Sequence, residues 1–157
     1  MDSDGAAGTI SPALIGKAGE TLVAAELMRR GVEIAIPASD VGVDMLAYRL
    51  APKQRVAHNF VPIQVKARSE TGYNFQKIWF TKVPGVVLVH VWHVSTTPEF
   101  YIFRDLEDVK SALGSHAQSV SWTVNGGYSV TNPTARHCTL MEPHKNQWHR
   151  ILDLFAA

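Results

Sequence analysis

The stretch from Val61 to Arg68 constrains the fold of this chain more than any other segment. It reads Val-Pro-Ile-Gln-Val-Lys-Ala-Arg. Successive side chains of an extended strand point to opposite faces. One face would therefore be apolar and carry Ile63, Val65 and Ala67. The other face would be polar and carry Gln64, Lys66 and Arg68. The pattern predicts a strand with one side in the core and one side equipped for chemistry.

The length and composition favour one ordinary globular unit. The chain has 157 residues, of which 46% are hydrophobic, enough for one domain with its own core. We expect that domain over residues 11–157, after a mobile N-terminus over residues 1–10. A single cysteine, Cys138, and no recognisable secretory signal predict a reducing, cytoplasmic location. The longest apolar run, residues 86–94, is too short for a bilayer, so no membrane contact is expected.

Positive charge is concentrated in one part of the chain. The formal net charge is only +1, but residues 49–82 hold seven Lys or Arg against the single acid Glu70, a net of +6. The rest of the chain carries a net of −5. Because phosphate binding depends on local charge, this block favours a polyanionic partner. The alternative is a solvated edge protected by lysines.

The order of the predicted elements is that of an α/β fold. Ser11-Pro12 and Gly31 mark the ends of a first helix over residues 12–30. Strands are predicted over residues 32–36, 43–50, 60–67, 86–94 and 100–103, with a polar connection over 51–59. Later elements are a helix over 105–113, a hairpin formed by 120–124 and 128–130, and an amphipathic helix over 143–155. Residues 69–85 fit a helix poorly and are expected to form a hairpin or loop over a groove.

Glu20 is an acid on the apolar stripe of the first helix. Helical spacing places it with Val23, Ala24 and Leu27. A carboxylate that faces a sheet needs a cation or hydrogen-bond donors, because an unpaired buried charge is very costly. We expect the partner to be Lys66 or a metal ion held by Asp44. The alternative is that Glu20 reaches water at the rim of the interface.

Asp44 opens the second predicted strand, directly after Gly42-Val43. A lone Asp at a strand start is usually a turn residue, so its significance depends on its neighbours in sequence order. A helix acid comes first, then Asp44, then the triplet Gln64-Val65-Lys66. An acid at one strand start and a polar-x-Lys triplet on the next strand are expected for a metal ion and an activated water over a phosphodiester.

This order of motifs resembles the PD-(D/E)XK nuclease superfamily, which has a restriction-endonuclease-like fold. The matching segments are Gly16-Lys17-Ala18-Gly19-Glu20, Gly42-Val43-Asp44 and Gln64-Val65-Lys66, and Pro37-Ala38-Ser39-Asp40 is similar to the polar turn before the acid. The resemblance covers roughly residues 12–68. It implies a mixed central β-sheet flanked by helices and a metal-dependent deoxyribonuclease activity.

The resemblance also implies roles for particular residues. Glu20, Asp44, Gln64 and Lys66 would be catalytic, and Mg²⁺ (or Mn²⁺) would be held by Glu20, Asp44, Gln64 and the Val65 carbonyl. Lys66 would polarise the attacking water and offset charge on the phosphorane, and hydrolysis would be a direct in-line attack. We expect DNA to be contacted by Lys17, Arg49, Lys53, Arg55, Arg68, Lys77 and Lys82.

One departure from the family pattern leaves other functions open. The first position of the (D/E)XK triplet is Gln64, which offers an amide oxygen but no negative charge. A non-catalytic nucleic-acid-binding module and a protein-interaction subunit therefore stay as alternatives. A homodimer is attractive on symmetry grounds, because two cuts in a duplex call for two sites. A zinc site formed by His137, Cys138, His144 and His149 fits no closed spacing pattern.

Overall fold

The computed structural model describes residues 8–50 and 57–155 of the chain. The strands there are β1 (Glu33–Ala35), β2 (Met45–Leu50), β3 (Ala57–Ala67), β4 (Tyr73–Gln76), β5 (Val87–Trp92), β6 (Glu99–Phe103) and β7 (Gly127–Val130). The α-helices are α1 (Pro12–Met28), α2 (Lys77–Lys82), α3 (Leu106–Leu113), α4 (Val120–Thr123), α5 (Ala135–Met141) and α6 (His149–Leu152). Short 3₁₀ helices cover Gly114–Gln118, Glu142–His144 and Asp153–Phe155.

The central sheet is mixed and five-stranded, with the strand order β1-β2-β3-β5-β6. β3 and β5 run parallel, with Val65 opposite Val89, and the other neighbours in this sheet are antiparallel. A second sheet of two strands pairs β4 with β7. Helices flank the central sheet, so the predicted fold class, an α/β fold with a mixed central sheet, is confirmed.

Each face of the central sheet has its own core. The core on the α1 face contains Ile63 and Val65 of β3, with Val23 and Leu27 of α1. The core on the opposite face contains Leu88 of β5, with side chains from β4, β6, α3 and α4. Strand alternation therefore assigns Gln64, Lys66 and Arg68 to the second face, away from α1. This division determines which functional groups can meet.

Helix α1 packs on β3 at very short range. Ser11 caps the helix, since its hydroxyl oxygen accepts a hydrogen bond from the Leu14 backbone N–H at 3.3 Å, and Pro12 occupies the first helical position. The helix ends at Met28, slightly before the predicted residue 30. Gly19 faces the sheet, where an added methyl group would overlap the side chain of Ala67. The glycine lets helix and strand approach each other closely.

The predicted hairpin over residues 120–130 is wrong in its first half. Residues 120–123 form α4, whose first turn is capped by the Ser119 hydroxyl, which accepts from the Trp122 backbone N–H at 3.3 Å. The bulky Trp122 is buried in the second core, and packing there overrides the β-branched pattern. The second half, β7, is a strand, but it pairs with β4 rather than with residues 120–124.

The predicted helix over residues 143–155 is also wrong, because that segment consists of three short pieces. Lys145 is extended and bridges to Tyr101, and Asn146 has a positive φ of 55°, so the helix cannot run through. Trp148 is nevertheless buried, as its apolar pattern predicted.

Two connections also differ from expectation. β3 begins at Ala57, inside the predicted polar connection, and residues 51–56 lie outside the described part of the chain. Residues 69–85 form β4 and α2 rather than a hairpin. Within the described residues, no helix has the length and apolar character needed to cross a membrane.

Candidate active site

Asp44 lies directly before β2, where the antiparallel pairing of β2 with β3 stops. The pair Met45 and Ile63 is the last in register, so Asp44 stands opposite Gln64. The Asp44 backbone N–H donates to the Ile63 carbonyl at 2.9 Å, and the Asp44 carboxylate accepts from the Val65 backbone N–H at 2.6 Å. The carboxylate thus occupies the edge of β3 beyond the end of its neighbour.

The Val65 carbonyl is directed toward the same edge. In a strand, the N–H and C=O of one residue point to the same side. Since the Val65 N–H donates to Asp44, its carbonyl also lies on the β2 side. The hydrogen bonds of β3 alternate between its two neighbours as this requires. The backbone N–H of Arg68, three residues after Val65, donates to the Val91 carbonyl of β5, on the other side of the strand. One carboxylate and one main-chain oxygen therefore share this strand edge.

Asp44 is partly withdrawn from water, and this controls its acidity. Burial raises the pKa of the Asp44 carboxyl above its ordinary value, the hydrogen bond from Val65 opposes the rise, and the nearby Glu20 adds to it. The Lys66 ammonium acts in the opposite direction and lowers the pKa of Asp44. The net shift is upward, which is typical of a carboxylate that lacks a full set of positive partners.

Glu20 shares a cleft with Asp44. The cleft has a volume of about 200 Å³ and is lined by both acids together with Lys17 and residues of the 36–43 turn. The Glu20 side chain is 25% exposed and accepts from the Lys17 ammonium at 2.7 Å, a pair that raises the pKa of Lys17. The ionic partner seen is Lys17, which was not among the partners expected from the sequence, Lys66 or a metal ion held by Asp44. Glu20 sits at the water-accessible rim, which was the stated alternative.

The turn before Asp44 explains how this cleft is built. The Gly42 backbone N–H donates to the Asp40 carboxylate at 3.1 Å, and Gly42 has a φ of +81°, which favours glycine. This turn redirects the chain so that Val43 is buried while Asp40 and Asp44 border the cleft. The polar turn predicted from the sequence thus forms one wall of the site.

Gln64 and Lys66 lie on the face of β3 that is turned away from α1. The Gln64 side chain is buried, and its amide oxygen has no hydrogen-bond partner among the described residues. The Lys66 ammonium lies 4.7 Å from the centre of the Trp79 ring. Lys66 also borders a second cavity of about 370 Å³, with Arg68, Asn74 and His90, which reaches the first turn of α1.

The structure therefore brings the predicted catalytic residues together in two groups. Glu20 and Asp44 share one cleft at the edge of β3, whereas Lys66 borders the second cavity. Asp44 lies between the two groups, because its carboxylate accepts from the Val65 backbone N–H at the strand edge and is also within reach of the Lys66 charge. The convergence of all four side chains around one cation stays a prediction.

Several of the predicted DNA-contacting cations already have partners within the protein. Lys17 pairs with Glu20, as described above. Arg49 donates to the Arg30 carbonyl at 3.1 Å and lies 5.8 Å from the centre of the Phe155 ring, so it fastens the end of α1 to the C-terminal segment. Lys77 lies over the Trp122 ring at 4.9 Å.

The remaining predicted DNA contacts have different positions. Arg68 borders the Lys66 cavity, and Lys82 is exposed in the last turn of α2. Lys53 and Arg55 lie outside the described residues.

Trp79 is a site residue that sequence reasoning did not identify. Its contact with Lys66 joins positions 13 residues apart on different elements, and no local pattern marks such a pair. His90, on the same face, behaves as a packing residue: burial lowers its pKa to about 3, and the Lys66 and Arg68 charges act in the same direction. His90 is therefore neutral near pH 7.

The groups around Asp44 are oxygen donors, the type of ligand that hard divalent cations prefer. Mg²⁺ prefers oxygen ligands and needs only one or two carboxylates from the protein. Two acids line the cleft, the Val65 carbonyl lies on the adjoining edge, and the buried Gln64 oxygen has no hydrogen-bond partner in the described part of the chain. Among the described residues, no three His, Cys, Asp or Glu side chains are grouped to hold a metal ion, and this includes the considered zinc set.

A solved protein shares this fold. The chain is similar to the structure of a bacterial homing endonuclease, I-Ssp6803I, with a TM-score of 0.55 and 14% sequence identity. The match covers 94% of this chain and 96% of the other. No protein-family model matches the sequence, and no curated protein matches it either. The five-stranded sheet with a core on each face is therefore part of a fold that this endonuclease also has.

Proposed function

We propose that this chain is a metal-dependent DNA endonuclease with a PD-(D/E)XK-type site in which Gln64 replaces the usual acid. The observation that carries the proposal is the Asp44 carboxylate, held by the Val65 backbone N–H at the end of the β2 and β3 pairing and facing the same cleft as Glu20. The fold shared with a homing endonuclease, a protein that cuts DNA, supports the same class of activity.

A magnesium ion would be held by Asp44, Glu20 and the Val65 carbonyl, with the Gln64 amide as a further oxygen donor. Bound there, the ion would make water more acidic and offset negative charge on a phosphodiester. The raised pKa of Asp44 is consistent with this role, because a carboxylate that is short of positive partners gains most from a cation. Asp44 would bind the magnesium ion directly, and Glu20 with Lys17 would orient water at the rim of the cleft.

Lys66 would supply positive charge from the face of β3 that is turned away from α1. An ammonium can stabilise charge that develops on a phosphate as the attacking and leaving oxygens exchange. The Lys66 charge already acts on Asp44, so its field reaches the strand edge where the reaction would occur. The adjoining cavity, bordered by Arg68, would receive part of the DNA backbone.

A non-catalytic DNA-binding module is the second candidate, and a specific observation favours it. Glu20 already has an ionic partner in Lys17, while the Lys66 ammonium is engaged with the Trp79 ring. Position 64 also carries a neutral glutamine in place of the usual acid, which weakens the attraction of the site for a divalent ion. Such a protein would keep the fold and bind DNA in a salt-sensitive way without cutting it.

Cleavage of a panel of linear, nicked, branched and single-stranded DNAs separates these functions. We expect cleavage with Mg²⁺ or Mn²⁺, none with chelator, and a loss of about 100-fold or more in Asp44→Ala and Lys66→Ala. Lys110→Ala is the matched control, because Lys110 is a surface lysine on α3 paired with Glu107.

Two outcomes would contradict the proposal. Equal cleavage by Asp44→Ala and the wild type would place the activity elsewhere. Salt-sensitive binding of the whole panel with no cleavage under any metal condition would assign the binding module instead.

A further inference from the structure

We propose that Trp79 is a positioning residue for Lys66, whose ammonium it holds over its ring, next to the strand edge that carries Asp44. The inference rests on the proposed function, because it gives Lys66 its role. The observation behind it is the Lys66 ammonium, 4.7 Å from the centre of the indole ring. At that range the ring face attracts a cation, and tryptophan does so best among the aromatic residues.

The Trp79 ring has a fixed position. It lies on α2 and packs against the core of the second sheet face, together with Phe80. The start of α2 is fastened twice: the Lys77 backbone N–H donates to the Gly126 carbonyl at 2.8 Å, and the Lys77 ammonium lies over Trp122. A ring anchored in this way is a rigid platform rather than a mobile cover.

Lys66 depends on such a platform because its own chain is flexible. The lysine stem has four rotatable carbons, and ordering it costs conformational entropy. The backbone of β3 fixes only the Cα atom, in the middle of the sheet, where Lys66 is paired with His90 of β5. The contact with Trp79 fixes the other end. Since the Lys66 charge lowers the pKa of Asp44, a change in the ammonium position would be felt at the carboxylate.

A direct measurement is the position of the Lys66 side chain, followed by NMR of labelled lysine in protein with chelator and without DNA. Protons that lie over an aromatic ring have NMR signals displaced by that ring. In Trp79→Leu we expect this displacement to be lost from the signals of the Lys66 Cε protons, because the ammonium no longer lies over an indole ring. Trp79→Phe should recover part of the effect, since it keeps an aromatic face.

The same variants give a kinetic test. We expect Trp79→Leu to lower kcat for DNA cleavage about 10-fold with little change in KM, since the proposed role of Lys66 is to offset charge that develops in the transition state, and Trp79→Phe to recover part of that loss. Phe80→Leu is the control, because Phe80 shares α2 and the same core. If Trp79→Leu does not fold, the comparison of Trp79→Phe with the wild type carries the test.

Three results would overturn the inference. They are unchanged Lys66 Cε proton signals in Trp79→Leu or, failing that variant, in Trp79→Phe, an equal effect of Phe80→Leu, and faster cleavage after removal of the ring. Because the lysine signals are measured without metal or substrate, a wild-type protein that cuts no DNA would contradict the proposed function and leave this measurement valid.

Discussion

The buried charge of Asp44 affects both stability and chemistry. Burial outweighs the Val65 hydrogen bond and the Lys66 charge, so the pKa of Asp44 in the folded chain lies above its value in the unfolded chain. A group of this kind stabilises the fold below its unfolded pKa, and the contribution is lost as the pH rises through the folded pKa. At neutral pH the charged carboxylate is therefore a net cost to folding.

Asp44→Asn should raise the melting temperature in chelator at pH 7 by a few degrees. Roughly 1 kcal/mol corresponds to about 2–4 °C for a chain of this size. The Asn amide oxygen still accepts from the Val65 backbone N–H, so the main-chain contact survives. The difference from the wild type should shrink as the pH falls, because burial raises the pKa of Asp44 and the native carboxyl takes up its proton at a higher pH than an ordinary aspartate. Thermal unfolding at pH 7, 5.5 and 4 measures this.

Added Mg²⁺ should reverse the order, because a ligand that binds only the folded chain stabilises it by mass action. The wild type should gain stability with Mg²⁺ and the Asn variant much less. A variant that is less stable than the wild type in chelator would show that the charge of Asp44 is well solvated.

At the scale of single elements, the contact of α1 with β3 determines where Glu20 stands. Gly19 faces Ala67 with no room for a further carbon, whereas Gly16, one turn earlier, has nothing within 4 Å of an added methyl group. The two glycines therefore differ in packing while they share a helix.

We expect Gly19→Ala and Gly16→Ala to change stability in opposite directions. The first forces helix and strand apart and should cost about 1–3 kcal/mol, the usual range for overpacking. The second replaces glycine by the best helix former and should add up to about 1 kcal/mol. Urea unfolding midpoints compare them directly. If Gly19→Ala were also stabilising, the close approach of α1 to β3 would be wrong.

The elements that the sequence predicted well have strong local signals. The Ser11-Pro12 cap, the Asp105 cap of α3 and the dense β-branched run of β5 each determine an element within a few residues. The failures lie where packing decides. Burial of Trp122 in the second core favours a helix over residues 120–123. The positive φ of Asn146 divides the last segment into short pieces.

The candidate site shows the same division between local and long-range information. Period-two alternation correctly separated Val65 from Lys66, and the turn before Asp44 followed from its composition. The sequence does not state which face of β3 the first helix covers, because that depends on contacts between distant segments. The sequence therefore left Lys66 or a metal ion held by Asp44 as the expected partner of Glu20, and the ion pair seen is with Lys17.

At the scale of the whole molecule, charge near the Lys66 face should govern DNA binding. Lys82 is exposed in α2, near the end of the same segment that carries Trp79. Lys82→Ala should weaken binding similarly for all sequences and reduce the slope of log affinity against log salt by about 1, as expected for one lost phosphate contact. Lys110→Ala on α3 should leave the slope unchanged. Fluorescence anisotropy over a salt series measures both.

A Lys110→Ala effect as large as that of Lys82→Ala would indicate a diffuse electrostatic attraction without a defined binding face. It would contradict a DNA path over α2.

The pairing of β2 with β3 stops at Asp44, and this has a further consequence for how this protein could diversify. Because an aspartate side chain terminates the hydrogen-bond ladder, the turn over residues 36–43 can lengthen or shorten without displacing any paired strand. Changes in that turn would reshape the cleft beside Glu20 and Asp44 while the scaffold stays intact. Under the proposed function, substrate preference and folding would then be separable at this corner, and loop grafting there would be a route to new specificity.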